Sequence, residues 1–114
     1  MKGFLRFLKQ TAVCEHMLAN TSDHSGQVST SYQEYGSYRC AIQAMGGNQV
    51  MLFAGLGIQA QFVGFFEPDV PVVLGDRISV DGIKYYVQYL ERLAGHRAQH
   101  VELALKMEVQ TRDV

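Results

Sequence analysis

The sequence predicts a mainly β domain of antiparallel strands carrying one short helix, and two stretches near the C-terminus predict it most directly. Val101, Leu103, Leu105, Met107 and Val109 are apolar, while His100, Glu102, Lys106, Glu108 and Gln110 between them are polar and Ala104 is neutral. A period of two held this long describes a strand with one buried face. Upstream, Arg77–Val80 and Ile83–Tyr89 alternate on either side of Asp81-Gly82, a pair that tolerates the positive φ angles of a type I′ turn. A two-residue loop there sets Val80 opposite Ile83 and Ile78 opposite Tyr85 on one face, a self-consistent register.

With Leu93-Ala94-Gly95-His96-Arg97 as the returning connection, residues 76 to 110 form a three-stranded meander. A helix competes over Leu90, Leu93, Ala94, Ala98, Val101 and Leu105. Gly95 interrupts it, and the alternation after His100 fits a strand better.

The remaining elements follow from the N-terminus. Met1 to Lys9 interleaves Lys2, Arg6 and Lys9 with Phe4, Leu5, Phe7 and Leu8 and contains no apolar run of signal-peptide length. It reads as a short amphipathic arm or helical turn, or as an arm that docks on a neighbouring subunit or on a phosphate backbone through its positive charges. Residues Lys2, Phe4, Arg6, Phe7 and Lys9 are the candidate docking arm. Gln10–Met17 and Tyr38–Met45 have the composition of two strands, neither alternating cleanly.

Between these strands, Leu18 to Gly36 is rich in Ser, Thr, Asn, Asp, Gly and Gln. Irregular loops beyond about 12–15 residues are uncommon in compact domains and are usually functional or disordered. Tyr32 and Tyr35 late in this stretch, with Tyr38 after it, offer anchors for a partner; equally, they begin the second strand and pack on the domain's own sheet. Asn48 to Gly55 is a short apolar stretch between an Asn able to cap a helix and a terminal Gly, which suits one or two helical turns. Ile58 to Phe66 returns to β composition, and Pro68 and Pro71 force a loop after it.

The chain has 114 residues and 12.8 kDa, the size of one domain. The expected organisation is an N-terminal arm over residues 1–10, a single domain over 11–110 and a C-terminal tail over 111–114. Charged residues make up 18% of the chain, below the ~25% usual for soluble domains. A net charge of −1 supplies neither a basic field for nucleic acid nor an acidic tail. Two cysteines, Cys14 and Cys40, are too few for the disulfide framework of a small exported domain, so a reduced intracellular chain is the expectation.

From Cys40 through Phe66 there is no Asp, Glu, Lys, Arg or His. Gln43, Asn48, Gln49, Gln59, Gln61 and several glycines interrupt this segment, and its longest stretch without a polar side chain, Val50 to Ile58, is too short to span a bilayer. Charge is depleted at the cores of protein interfaces and in ordinary cores alike, and both readings fit. On the first reading, Val50, Met51, Leu52, Phe53 and Leu56 are the candidate subunit interface.

The residues offer little catalytic chemistry. His96 and His100 have the spacing of helical metal ligands, but in a strand they lie about 13 Å apart at ~3.3 Å per residue, too far to share an ion. Cys14 and His16 share a strand face, which in principle activates a thiolate, although a Cys on a strand usually behaves as a buried hydrophobe. Gly55-Leu56-Gly57 lacks the further glycine of a dinucleotide loop, no P-loop is present, and no acid pair stands out among the scattered carboxylates. The expectation is a protein without catalytic residues, metal or cofactor.

The order of elements resembles a known family. A polar loop runs into a Tyr-rich strand (Tyr35-Gly36-Ser37-Tyr38-Arg39-Cys40-Ala41-Ile42-Gln43), followed by a short helix, a strand and a Pro-bearing loop. Then come Leu74-Gly75-Asp76-Arg77-Ile78-Ser79-Val80, Asp81-Gly82, Ile83-Lys84-Tyr85-Tyr86-Val87 and a long last strand. From about Gln10 to Val109 this is similar to the head-closure proteins of long-tailed bacteriophages, also called stoppers or head-tail joining proteins.

The resemblance implies a small antiparallel β-barrel with one short helix, a long loop between its first two strands and an N-terminal arm. It implies a structural virion protein, assembled in the host cytoplasm and located at the head-tail junction. Such a protein forms a homo-oligomeric ring with portal or adaptor proteins on one side and tail proteins on the other. The ring closes the channel after packaging and lets double-stranded DNA pass without sequence-specific binding, with no membrane involved. The loop between early strands is then a channel gate, with Asp23, His24, Ser25, Gly26 and Gln27 near its tip. Its lack of Lys and Arg suits a plug that must not grip phosphates. Two alternatives are a tail-completion or tail-terminator ring protein and a small nucleic-acid-binding barrel. The second needs a basic groove interleaved with exposed aromatics, and the Lys and Arg residues do not cluster around the tyrosines.

Overall fold

The computed structural model describes residues 7–18, 21–22, 28–29, 31–93 and 99–108, with backbone alone described for 21–22 and 28–29. In chain order the elements are β1 (Gln10–Met17), β2 (Thr21–Ser22), β3 (Val28–Ser29), β4 (Tyr32–Ala44), helix α1 (Gly47–Gly55), β5 (Phe62–Phe66), β6 (Arg77–Val80), β7 (Ile83–Leu93) and β8 (His100–Met107). Six strands close into an antiparallel barrel in the order β1-β4-β5-β8-β7-β6, the barrel the sequence leads one to expect, and β2 pairs with β3.

The meander is built as its alternation predicts. Val80 faces Ile83 and Ile78 faces Tyr85. Asp81 and Gly82 hold φ at 52° and 80°, the two positive values a type I′ turn demands. Val101, Leu103 and Leu105 of β8 fill the barrel together with Ala12, Cys14, Cys40, Phe66, Ile78 and Val87. The segment after β5 closes one end, with Val70 and Val72 entering this core. Arg92 fastens that segment by donating to the carbonyls of Pro68, Val70 and Val72. The competing helix over Leu90 to Leu105 does not form, since β7 runs on to Leu93 and pairs with β8 down to His100.

Two β-bulges explain where alternation misleads. Cys14 pairs with Gly36 but Glu15 pairs with Glu34, so Tyr35 is an extra residue on β4. Val87 pairs with Leu105 but Tyr89 with Ala104, so Gln88 is extra on β7. An extra residue reverses the faces of the strand beyond it. Tyr89, which simple alternation places beside Tyr85 and Val87, therefore turns outward, and Leu90 packs against the core in its place.

Other expectations need correction. The long loop is shorter than Leu18 to Gly36, because Tyr32 to Gly36 belong to β4 and, apart from the bulged Tyr35, pair with β1. The ladder continues through Leu18 N–H to Ser31 O, and Thr21 and Ser22 face Ser29 and Val28, so the connection carries its own strand pairing. The tyrosines that end it pack at home: Tyr35 and Tyr38 lie against the core.

The helix is capped by Gly46, not Asn48, which lies within α1, and it ends at Gly55 as expected, with Leu56 as its C-cap. Gly57 at φ 78° donates to Ala54 O and Ile58 donates to Phe53 O, the paired bonds of a Schellman ending that only a glycine enters easily. Strand β5 begins at Phe62 rather than Ile58. β8 ends at Met107, whose side chain is exposed, and Val109 lies outside the described residues. Among the described residues no helix is long and apolar enough to cross a membrane.

Candidate functional site

Helix α1 holds Gly47-Asn48-Gln49-Val50-Met51-Leu52-Phe53-Ala54-Gly55, with no charged side chain and no residue fully buried. A helix this short is marginal by itself, so contact with the barrel must hold it. Phe53 supplies that contact, its ring 5.5 Å from the out-turned Tyr89. Met51, Leu52 and Leu56 remain 73%, 66% and 68% exposed.

Between α1 and the outer wall of β5, β8 and β7 lies a groove of about 300 Å3, lined by Leu52, Phe53, Leu56, Val63, Tyr89 and Ala104 among others, with Glu91 and Glu102 in its wall. A second depression of about 450 Å3 shares Tyr89 with it and extends over Ile58, Val73 and Leu74. Val73 and Leu74 are themselves exposed, so the apolar surface runs from the helix across Tyr89 to the loop before β6.

The predicted interface residues thus divide. Phe53 and Val50 are half-buried on the protein's own barrel, and Met51, Leu52 and Leu56 face outward. The charge-free stretch divides in the same way, with Cys40, Ala41, Ala60, Val63 and Phe66 buried in the fold and Met51, Leu52 and Leu56 exposed on the helix.

A polar cluster occupies the place where β1 and β4 leave the barrel. Asp76 is 1% exposed. It accepts from Tyr35 Oη at 2.7 Å, from His16 Nδ1 at 2.8 Å and from the Val73 N–H at 3.0 Å. The His16 and Tyr35 rings stack with centroids 3.7 Å apart. The bulge places Tyr35 here. Tyr35 also hydrogen-bonds Cys14, but burial dominates and pushes the Cys14 thiol up to about 12. Burial and the bond to Asp76 likewise push the Tyr35 hydroxyl far above its usual range. The shared face predicted for Cys14 and His16 exists, but the imidazole is bonded to Asp76 and the thiol stays protonated. The arrangement locks conformation and offers no thiolate.

On the opposite face of the same strands, Arg77 donates to both oxygens of Glu15, each at 2.9 Å, and its guanidinium lies 4.1 Å over the Tyr32 ring. This contact holds the Glu15 carboxyl below its usual range. Tyr86 donates to Glu108 at 2.8 Å beside it. The β1–β4 pair is therefore gripped on both faces just before it becomes the connection through β2 and β3.

Of the candidate arm, Lys2, Phe4 and Arg6 lie outside the described residues. Lys9 is exposed, while Phe7 packs edge-on against Phe65 at 5.4 Å and Leu8 is buried, so the end of the arm belongs to the barrel's own surface. The candidate gate residues Asp23, His24, Ser25, Gly26 and Gln27 also lie outside the described residues, as does His96. His100 stands near Glu102 and Phe65, and among the described residues no group of His, Cys, Asp or Glu could hold a metal. Sequence reasoning missed Asp76 as a buried acid and the pairing of Glu91 with Glu102. The signal for Asp76 was a carboxylate directly before a strand and close after the apolar run Val70–Leu74.

No family model matches this chain and no curated protein matches it. Among solved structures, the solution structure of protein SF1141 from Shigella flexneri 2a is similar in fold, with a TM-score of 0.66 over 91% of this chain and 96% of that chain at 9% identity.

Proposed function

We propose that this chain is a structural protein of a bacteriophage head-to-tail connector, forming a ring that closes the portal channel after packaging and offers the tail its docking platform. The observation that carries the reading is the connection between the first two barrel strands, gripped at its base by Asp76 on one face and Arg77 on the other. A gate must be held at a fixed angle by the ring and still present a tip that does not bind DNA. The double grip supplies the first property, and the sequence of residues 23–27, without Lys or Arg, supplies the second. The exposed charge-free face of α1 supports assembly with further protein chains.

The test is electron cryo-microscopy of particles carrying a tagged copy of this chain. Density for a ring at the capsid-tail junction supports the reading, and a ring touching only the tail tube favours a tail-terminator role. A tag absent from particles overturns both. In a particle that contains the ring, deletion of Asp23 to Gln27 is expected to leave ring formation intact and let DNA leak; full retention of DNA removes the gate from the proposal.

A further inference from the structure

Glu91 of β7 and Glu102 of β8 are direct cross-strand partners on the outer wall of the barrel. Like charges placed so destabilise a sheet unless something neutralises them. His100 lies 3.6 Å from Glu102, and Glu91 has neither a hydrogen bond nor an ion pair among the described residues. The neighbouring Arg92 gives no help, because its guanidinium is committed to the carbonyls of Pro68, Val70 and Val72. Both carboxylates belong to the groove under α1, whose remaining wall is apolar apart from Gln49. The groove therefore calls for a segment that pairs cationic side chains with large apolar ones.

This chain contains such a segment. Lys2-Gly3-Phe4-Leu5-Arg6 alternates the two chemistries, and no acid occurs before Glu15. We propose that the groove receives Lys2–Arg6 of a second copy of this chain, with Glu91 and Glu102 pairing with Lys2 and Arg6 and with Phe4 and Leu5 against Leu52, Leu56 and Tyr89. A second copy accounts for more of the surface than any short segment acting alone. The apolar area continues past the groove to Val73 and Leu74, where an N-terminal segment ends and the body of a neighbouring subunit begins to cover it. The inference rests on the ring reading and names the contact that joins its subunits.

The experiment mixes 15N-labelled and unlabelled full-length protein before assembly and couples carboxylates to amines with a zero-length carbodiimide. Peptide mass spectrometry is expected to find Lys2 joined to Glu91 or Glu102 in pairs of mixed isotope. Links confined to one isotope place the segment in its own subunit and overturn the proposal, as does the absence of these links.

A charge exchange gives a second arm. Lys2→Glu with Arg6→Glu is expected to reduce the assembled fraction by light scattering, and adding Glu91→Lys with Glu102→Lys is expected to restore it. Failure to restore assembly, with the melting temperature unchanged, counts against the pairing. Links without a ring at the capsid-tail junction leave the contact standing and remove the virion role; a ring without the links does the reverse.

Discussion

The hydroxyl of Tyr35 donates to Asp76 at 2.7 Å across a separation of 41 residues, and it reaches there because Tyr35 is the bulged residue of β4. Without the extra residue, alternation would turn that ring to the outside. The bulge instead stacks it on His16, which binds the other carboxylate oxygen, so three segments of the chain meet on one buried acid.

Removing this acid is expected to be costly. Asp76→Ala leaves Tyr35, His16 and the Val73 N–H without their buried acceptor, and about 3 kcal/mol of stability is the expected loss. Tyr35→Phe removes one bond and is expected to cost about 1–2 kcal/mol. Urea unfolding at neutral pH measures both. Equal losses for the two variants would mean that Asp76 acts through Tyr35 alone.

Acidification tests the grip on the other face. The guanidinium of Arg77, bonded to both oxygens, holds the Glu15 carboxyl below its ordinary pKa. A carboxylate depressed in the folded state contributes stability above its unfolded pKa and loses that contribution as pH falls through the folded value. The stability difference between wild type and Glu15→Gln is therefore expected to be full at pH 7 and to shrink steadily below about pH 4.3. A difference independent of pH would show that Glu15 contributes packing and not charge.

Regular alternation made the meander legible in the sequence, and Asp81-Gly82 gave its register to the residue. What remained hidden was set by tertiary contacts that leave no periodic trace. The bulge at Gln88 reverses side-chain faces with no glycine or proline beside it, and the one at Tyr35 is marked only by the adjacent Gly36. The pairing within the first connection is hidden by its Ser, Thr and Gln content. The helix was visible as an apolar stretch, but its ends depend on Gly46 and on the positive φ of Gly57, which stand outside the Asn48–Gly55 window. Of the candidate site, the exposed apolar helix was legible from composition, and the acidic pair was not, because Glu91 and Glu102 meet only when the bulged β7 registers with β8.

The thiols provide a check on burial. Cys14 and Cys40 are both free and fully buried, and burial pushes their pKa values up to about 12 and about 11. Because the nucleophile is the thiolate, neither is expected to react with a chromogenic disulfide at pH 8 until the protein unfolds. The rate of labelling is then expected to follow the unfolding curve in urea. Rapid labelling of one thiol in native protein would mean that the barrel opens locally at β1 or β4.

Packing at Gly64 is close enough to decide the residue. A Cβ there would stand 2.9 Å from Leu105 Cδ1, and Leu105 is wholly buried. Gly64→Ala forces the leucine tip aside in a filled core, for an expected loss of about 1–3 kcal/mol. Leu105→Val removes the obstructing methyl at its own cost, so in the double variant the two losses are expected to add to less than their sum. Strict additivity in a thermal-unfolding cycle would place the strain elsewhere.

Helix α1 is held to the barrel chiefly through Phe53 on Tyr89, and that contact can be broken without touching the core. Phe53→Ala is expected to leave the barrel amides of β5 and β8 protected from hydrogen exchange while those of residues 50–55 exchange at nearly unfolded rates. A nine-residue helix has too little intrinsic stability to survive alone. Leu52→Glu with Leu56→Glu makes the contrasting pair, since both side chains already face solvent and surface changes usually cost within about 0.5 kcal/mol. That variant is expected to keep the helix protected and the melting temperature close to wild type, while the assembled fraction falls. If both variants lose assembly only to the extent that they lose helix protection, α1 contributes shape to the fold and its apolar face is not the contact surface.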